Sequence, residues 1–331
     1  MDRPCVRVPR ESGEQTRQEL AAAGLLDEDH QIVVDDGTLY LPVTDPDAID
    51  DAHEVVYHDV PTHDGQETPA DILGFDPSYE RLGDIAIIDE DDPARASDIA
   101  TGILDSDLPV AAVVDRASKV KGDLRVRDWD VVAAADDAAR PVTETVHREY
   151  GFEYLLDISE VYFSPRLATE RHRVTEQVAA GEQAVDMFAG VGPFAIPMAA
   201  RGATVVGVDL NPAAVEYLRE NARRNGVADR MTAIEGDVRD VAADYDDWAD
   251  RIVMNLPHSA DDFLDAAVTL AGDDCTLHYY DIQHEDDPFG PGERAIREAA
   301  EGYDVEVLTR HVVRSYAPHE LNVCLDVRLS R

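Results

Sequence analysis

At 331 residues with 44% apolar content, the chain is long enough for two or three compact units with a sizeable core. It has no run of about 18 apolar residues and its opening MDRPCVRVPRES lacks an apolar h-region, so a soluble cytoplasmic protein is expected, with neither membrane span nor secretory leader. Seventy acidic residues against 29 Lys and Arg give a net charge of −41, spread along the whole chain with Lys119 and Lys121 the only lysines; this reads as a surface adapted to a halophile's molar salt, and so does not exclude RNA as a partner.

Three segments follow in chain order. Residues 1–62 contain a helix at Ser12–Ala23 and strands near Gln31–Val34 and Leu39–Pro42. The polar stretch His58–Pro69 has the composition of a linker. Residues 70–150 carry strand-like runs at Asp84–Asp89, Leu108–Asp115 and Asp123–Val132, with a helix at Pro93–Leu104 between the first two. Residues 151–331 alternate strand and helix, the pattern of a doubly wound parallel sheet. Its strands are expected at Gln183–Phe188, Ala203–Asp209, Met231–Gly236, Arg251–Asn255 and Cys275–Ile282. Asn211-Pro212 supplies an N-cap and a first-turn proline for a helix that stops at Gly226. After a last helix at Gly292–Gly302 come two strands in succession, Asp304–Arg314 and Leu321–Leu329. Such an antiparallel ending separates methyltransferase sheets from dinucleotide-binding ones, whose last strand follows a helix.

Four features stand at the carboxyl ends of neighbouring strands, where open α/β sheets bind ligands. In the loop Val185-Asp186-Met187-Phe188-Ala189-Gly190-Val191-Gly192, glycines 190 and 192 let the backbone approach a bulky polar ligand, and the next helix presents its positive N-terminus. Asp209 ends the second strand and can accept ribose hydroxyls; Asp237 can accept an adenine amino group; Asn255-Leu256-Pro257 follows the fourth strand. NAD is the competing ligand. Ala195 replaces the third glycine of a dinucleotide turn and Pro193 is an unusual companion for a pyrophosphate, so loop and strand order favour S-adenosylmethionine. Cys5, Cys275 and Cys324 have no metal-ligand spacing and are expected as free thiols; no metal is expected.

Val161-Tyr-Phe-Ser-Pro-Arg-Leu-Ala-Thr-Glu-Arg171, Val185–Phe194, Asn255-Leu-Pro257 and Arg314-Ser-Tyr-Ala-Pro318 together resemble the archaeal and eukaryotic tRNA (guanine-37-N1)-methyltransferase family. The resemblance covers residues 70–331, and more loosely 1–62. It implies a class I methyltransferase fold: a Rossmann-like α/β domain with a seven-stranded sheet ending in an antiparallel pair, preceded by two smaller α+β domains. On that reading residues 1–62 contact the tRNA outer corner, 70–150 support RNA binding and catalysis, and 151–331 hold S-adenosylmethionine. The expected partner is tRNA and the expected state a monomer. Asp186, Phe188, Gly190, Gly192, Asp209, Asp237 and Asn255 are then the cofactor residues.

The same resemblance makes Glu170 the general base for guanine N1 and Arg125 or Arg127, with Arg125 preferred, the cation facing O6. Tyr162 contacts the guanine, and Asn255 and Pro257 bind and shape its edge. Spacing alone offers Glu170 another role, since Arg166 and Arg173 stand where helix-surface ion pairs form; Ser164-Pro165 is expected to open that helix. The arginine groups 166, 171, 173 and 219, 223, 224 are candidates for RNA phosphates. A tRNA aminocarboxypropyl transferase of wybutosine synthesis, or a methyltransferase of a tricyclic guanine-37 derivative, are the alternative activities.

Overall fold

The computed structural model describes residues 2–9, 12–35, 37–50, 53–62, 67–122, 124–135 and 140–331. Residues 63–66 of the polar stretch, and Asp123 at the head of an expected strand, lie outside the described residues. Two compact units divide the chain, Met1–Asp71 and Ile72–Arg331. Among the described residues no helix is long and apolar enough to cross a membrane.

In the first unit, β1 (Asp2–Pro9), β2 (Val33–Asp35), β3 (Thr38–Pro42) and β4 (Glu54–Asp59) form an antiparallel sheet in the order β2-β3-β1-β4. Val6, Val8, Leu41 and Val43 meet Leu20 of α1 (Gly13–Ala22) in a small core. Neither β1 nor β4 is expected from the sequence. Pro4 lies within β1 and Pro9 ends it, and proline argues against a strand.

The second unit contains a four-stranded sheet, β5 (Glu80–Leu82), β6 (Ile85–Ile88), β7 (Ala112–Arg116) and β8 (Trp129–Ala134), in that order. Between the parallel strands β6 and β7 runs α3 (Pro93–Leu104), the chain's third helix after the single turn α2 (Pro69–Leu73). Asp92 caps α3 by accepting from the Ala94 N–H, and Pro93 fills its first turn. The strand expected at Asp123–Val132 is corrected here. Lys121 pairs with Val126 and the Arg125 N–H donates to the Gly122 carbonyl, so the chain doubles back in a turn. Arg125 takes a φ of 55° there, which no strand residue adopts.

A hairpin missed by the sequence reading comes next: β9 (Glu144–Glu149) and β10 (Phe152–Asp157), joined by Tyr150-Gly151, both with positive φ. Two positive φ values in a two-residue loop match the right-handed twist of the strands. Its turn coincides with the boundary expected at residue 150.

The seven-stranded sheet has β11 (Gln183–Asp186), β12 (Thr204–Asp209), β13 (Met231–Glu235), β14 (Ala249–Met254), β15 (Ala271–His284), β16 (Asp304–Ala317) and β17 (Glu320–Ser330). Their order is β13-β12-β11-β14-β15-β17-β16, with β17 antiparallel to both neighbours. This is the class I methyltransferase arrangement. Every strand expected in this half is present, with ends displaced by a few residues and β15 the most extended. Apolar side chains on both faces, such as Val205 and Val206, bury the sheet beneath helices on each side.

Helix α6 (Pro212–Arg224) follows α4 (Ala168–Thr175) and α5 (Ala195–Ala200). Asn211 caps it by accepting from the Ala213 N–H, and Ala214, Val215, Leu218 and Ala222 bury one face. On that face Asn221 is fully buried; its amide accepts from the Leu155 N–H and donates to the Leu155 and Val191 carbonyls. One side chain thus fastens β10 and the Val191 loop to α6. Asn221→Ala leaves three buried backbone groups unpaired and should lower the unfolding free energy by about 3 kcal/mol. Equilibrium guanidinium unfolding in molar KCl measures this; a loss below about 0.5 kcal/mol would mean that the clamp carries little.

Candidate functional site

A cavity of about 600 Å³ opens at the carboxyl ends of β11, β12, β13 and β14. Phe188, Gly190, Asp209 and Asp237 line it, as do Tyr162, Asn255, Pro257 and Arg125. Four other expected residues are not in its lining: Glu170, Arg127, Asp186 and Gly192.

Gly190 has a φ of 53°, and the atom nearest to an added Cβ would be the Tyr162 carbonyl oxygen, 4.0 Å away. Its backbone therefore presents a bare, open edge to the cavity. Gly192 differs. At a φ of 97°, an added Cβ would stand 2.6 Å from Leu218 Cδ1 and 2.8 Å from Ile196 Cδ1. The sequence reading assigns both glycines to ligand approach; Gly192 instead lets the loop pack on α5 and α6.

Asp209 sits half under the loop. Its Oδ2 accepts from the Gly190 N–H at 2.7 Å and its Oδ1 from the Asn211 N–H at 2.9 Å. Burial raises its pKa against these two stabilising donors. Each oxygen keeps a lone pair for a further donor. Asp237 caps the short helix α7 (Val238–Val241) and is gripped by the Arg239 side chain, which lowers its pKa. Arg239 in turn lies over the ring of Phe263, itself edge-on to Phe188. Asp186 is sealed beneath the loop, with Oδ2 unpartnered among the described residues, and burial pushes its carboxyl up to about 7.

The opposite end is built from the Asn255-Leu-Pro-His258 run, Ile282, and the β16–β17 hairpin. The Ile282 N–H donates to the Pro257 carbonyl at 3.1 Å, and Asn322 stands opposite both Ile282 and Arg314 in the strand register. His258 Nε2 meets the Tyr316 hydroxyl at 3.0 Å; burial and the Arg125 guanidinium lower its pKa, which favours the neutral imidazole. Asn322 Oδ1 and Arg314 Nε are buried without a partner among the described residues. His258, Tyr316 and Asn322 received no role from the sequence: the hairpin brings Tyr316 and Asn322 to this wall, and His258 becomes part of it only through its contact with Tyr316. Arg125 reaches it from its turn, with its guanidinium 5.6 Å from the Tyr162 ring centroid.

Glu170 is only 4% exposed. Arg173 donates to both of its oxygens at 2.7 and 2.8 Å, Tyr280 donates to Oε1 at 2.7 Å, and His311 Nε2 lies 3.3 Å from Oε2. Of the two surface ion pairs expected, the one with Arg173 forms but is buried, and Arg166 pairs with Glu80 instead. Ser164 makes no capping bond: Pro165–Leu167 form a 3₁₀ turn and Leu167 occupies the N-cap of α4. The arginine groups considered for RNA are largely committed elsewhere. Arg171 is buried on Glu149, Arg173 holds Glu170 and Asp326, Arg223 and Arg224 share Glu220, and Arg219 donates to the Ala233 carbonyl. All three cysteines are free and buried.

Comparison with known proteins places this geometry. Residues 145–308 match the TRM5/TYW2 methyltransferase domain, and residues 5–51 match the tRNA methyltransferase 5 N-terminal domain. The chain is 38% identical to the tRNA (guanine(37)-N(1))-methyltransferase Trm5b of Pyrococcus abyssi, over 98% of each chain. A solved complex of aTrm5 and tRNALeu aligns with a TM-score of 0.69 at 31% identity, covering 98% of this chain and 99% of that one. Methanocaldococcus jannaschii Trm5 in complex with adenosine aligns with a TM-score of 0.65 at 29% identity, over 99% of each chain.

Asp186 generates a pH-dependent expectation. Its folded pKa lies above its unfolded one, so the folded state binds the extra proton and loses stability as pH rises from about 4 through 7. Asp186→Asn, neutral throughout, should match the parent near pH 4 and be more stable near pH 8 by on the order of 2–4 kcal/mol. Thermal unfolding of the two proteins at both pH values, without ligand, checks this; an unchanged difference would remove the buried charge as its cause.

Proposed function

Because the chain belongs to the TRM5/TYW2 methyltransferase family and carries the tRNA methyltransferase 5 N-terminal domain as well, we propose that it methylates N1 of guanine-37 in tRNA with S-adenosylmethionine as donor. The observation that carries this reading is the cavity itself. One end holds an open glycine edge and a half-buried carboxylate suited to ribose, and the other holds Asn255, Pro257 and an arginine around space for a base.

The residues at the first end fit an adenosyl ligand. Gly190 leaves room that a Cβ would fill, Asp209 has a free lone pair on each oxygen for ribose hydroxyls, and Asp237 stands where an adenine amino group can donate. Phe188 gives the adenine an apolar wall, while Asp186 and Gly192 act beneath the loop by shaping it. When bound, S-adenosylmethionine supplies a methyl group carried on a sulfonium sulfur.

Neutral guanine holds a proton on N1, so methylation needs that proton removed while negative charge gathers on O6. Arg125 is assigned to O6 over Arg127, because it lines the cavity and Arg127 does not. Tyr162 packs on the extruded base, Asn255 bonds its edge and Pro257 limits its tilt. Glu170 is assigned as the base, under a condition set by its surroundings. Both oxygens already accept, so one contact must yield to N1–H, and the 3.3 Å approach of His311 is the weakest. Residues 1–62 and 70–150 are assigned to tRNA, and 151–331 to the donor and the chemistry.

The test is methyl incorporation into an unmodified tRNA transcript in molar KCl, with the product mapped by mass spectrometry. The expected product is 1-methylguanosine at position 37. Glu170→Gln and Arg125→Ala should each lower kcat about 10²–10³-fold while donor affinity persists. Asp209→Ala should weaken donor binding instead. Donor binding without any methylated guanine-37 would remove the substrate assignment and leave the fold.

A further inference from the structure

A second cavity of about 350 Å³ adjoins the first and shares Arg125, Tyr162, Phe163, Ser164 and Arg314 with it. Arg116, Arg127 and Arg166 line it as well, so five guanidinium groups face two carboxylates, Glu80 and Asp89. In a chain of net charge −41 this is an inversion of the local sign. Arg116 and Arg166 are held by Glu80. Arg125, Arg127 and Arg314 have no carboxylate partner among the described residues, whereas most other arginines of this unit are paired.

Two of these cations are held by rings rather than by acids. The Arg127 guanidinium lies 5.3 Å from the Trp129 ring centroid, and Arg125 lies over Tyr162. Trp129 is anchored in turn, with its Nε1–H donating to the Ile158 carbonyl at 2.7 Å. An aromatic face orients a guanidinium without neutralising it, so the charge stays available to a ligand. Burial and the neighbouring Arg116 lower the Arg127 pKa, a repulsion that an anion between them relieves. Arg314 adds a buried Nε with no acceptor among the described residues, on the wall common to both cavities.

We propose that this second cavity binds a phosphodiester of the RNA backbone directly flanking the extruded guanine, with Arg127 and Arg314 as its anion-binding residues. The inference rests on the reading that the first cavity takes a base from RNA. The shared wall then fixes the ligand: a nucleotide whose base enters one cavity carries its phosphates at the edge of that cavity. Guanidinium groups match a phosphate by paired N–H donors, which positions the strand without reading its sequence.

The test uses an anticodon stem-loop RNA with a neutral methylphosphonate in place of the phosphodiester 5′ or 3′ to guanine-37, with affinity read by fluorescence anisotropy. At one of the two positions the parent protein should bind about tenfold more weakly. Arg127→Gln should bind the unmodified RNA about tenfold more weakly, lose nothing further on that methylphosphonate, and show a slope of log Kd against log salt smaller by about 0.7–0.9. Arg127→Lys, which keeps the charge, should restore the sensitivity, and donor affinity should be equal in all three proteins. Equal sensitivity of Arg127→Gln and the parent at both positions overturns the proposal. So does competition by inorganic phosphate for a site at which neither methylphosphonate has an effect, since the cavity would then be a small-anion site. Because binding is read rather than turnover, a protein that shows the phosphate coupling yet leaves guanine-37 unmethylated would sink only the assigned activity.

Discussion

Glu170 and Asp326 are two carboxylates in a place where water does not solvate them, and a single guanidinium, that of Arg173, holds both. Isolated carboxylates buried this deeply would carry a large desolvation penalty; shared donors offset it. The chain of contacts continues. Asp326 accepts from His278 Nδ1, and His278 Nε2 faces Arg251 Nη1, while Nε and Nη2 of the same guanidinium donate to Glu182. An arginine can only donate, so His278 Nε2 must be the accepting nitrogen and Nδ1 must carry the proton toward Asp326. Burial lowers the His278 pKa in agreement with this neutral tautomer, and Asp326 is driven far below the usual carboxylate range by His278 and Arg173. The relay ties α4 to β14, β15 and β17, so the position of Glu170 depends on charges distributed over half the sheet.

The two ends of the main cavity are built differently. One rests on loops at the tips of parallel strands, where backbone groups and carboxylates form the wall. The other rests on the β16–β17 hairpin and the Asn255 run, where side chains do. Arg125 enters from the neighbouring sheet, on a turn closed by the Lys121–Val126 pair. Three separate pieces of chain therefore meet at one wall, and none of them can be moved without the register of the others.

Much of this was legible before any coordinates. The strand–loop–strand rhythm of residues 183–255 and the two successive strands at the end identify the sheet order, because apolar runs and glycine loops are local signals. That Gly190, Asp209 and Asp237 stand at neighbouring strand ends and line one cavity was legible for the same reason. What escaped is non-local. Tyr150-Gly151 is a hairpin turn only because Tyr150 accepts a positive φ, which β9–β10 pairing supports and local preference does not. Arg125 read as a strand residue because Leu124-Arg-Val-Arg127 alternates; the turn that holds it depends on a pairing across Lys121. Spacing alone makes Glu170 a surface ion pair, whereas Tyr280 and His311, which also contact it, lie more than a hundred residues away in sequence.

Gly190 and Gly192 sit in one short loop, yet different neighbours require them. The first is kept bare by an open cavity, the second by Leu218 and Ile196 packed against it. A descendant of this chain that left the cavity unused would be held at position 190 only by the left-handed backbone, which asparagine also adopts, while purifying selection for folding still preserved position 192. The second glycine of such a loop is therefore a record of helix packing, and its persistence in a distant sequence testifies to shared ancestry rather than to retained chemistry.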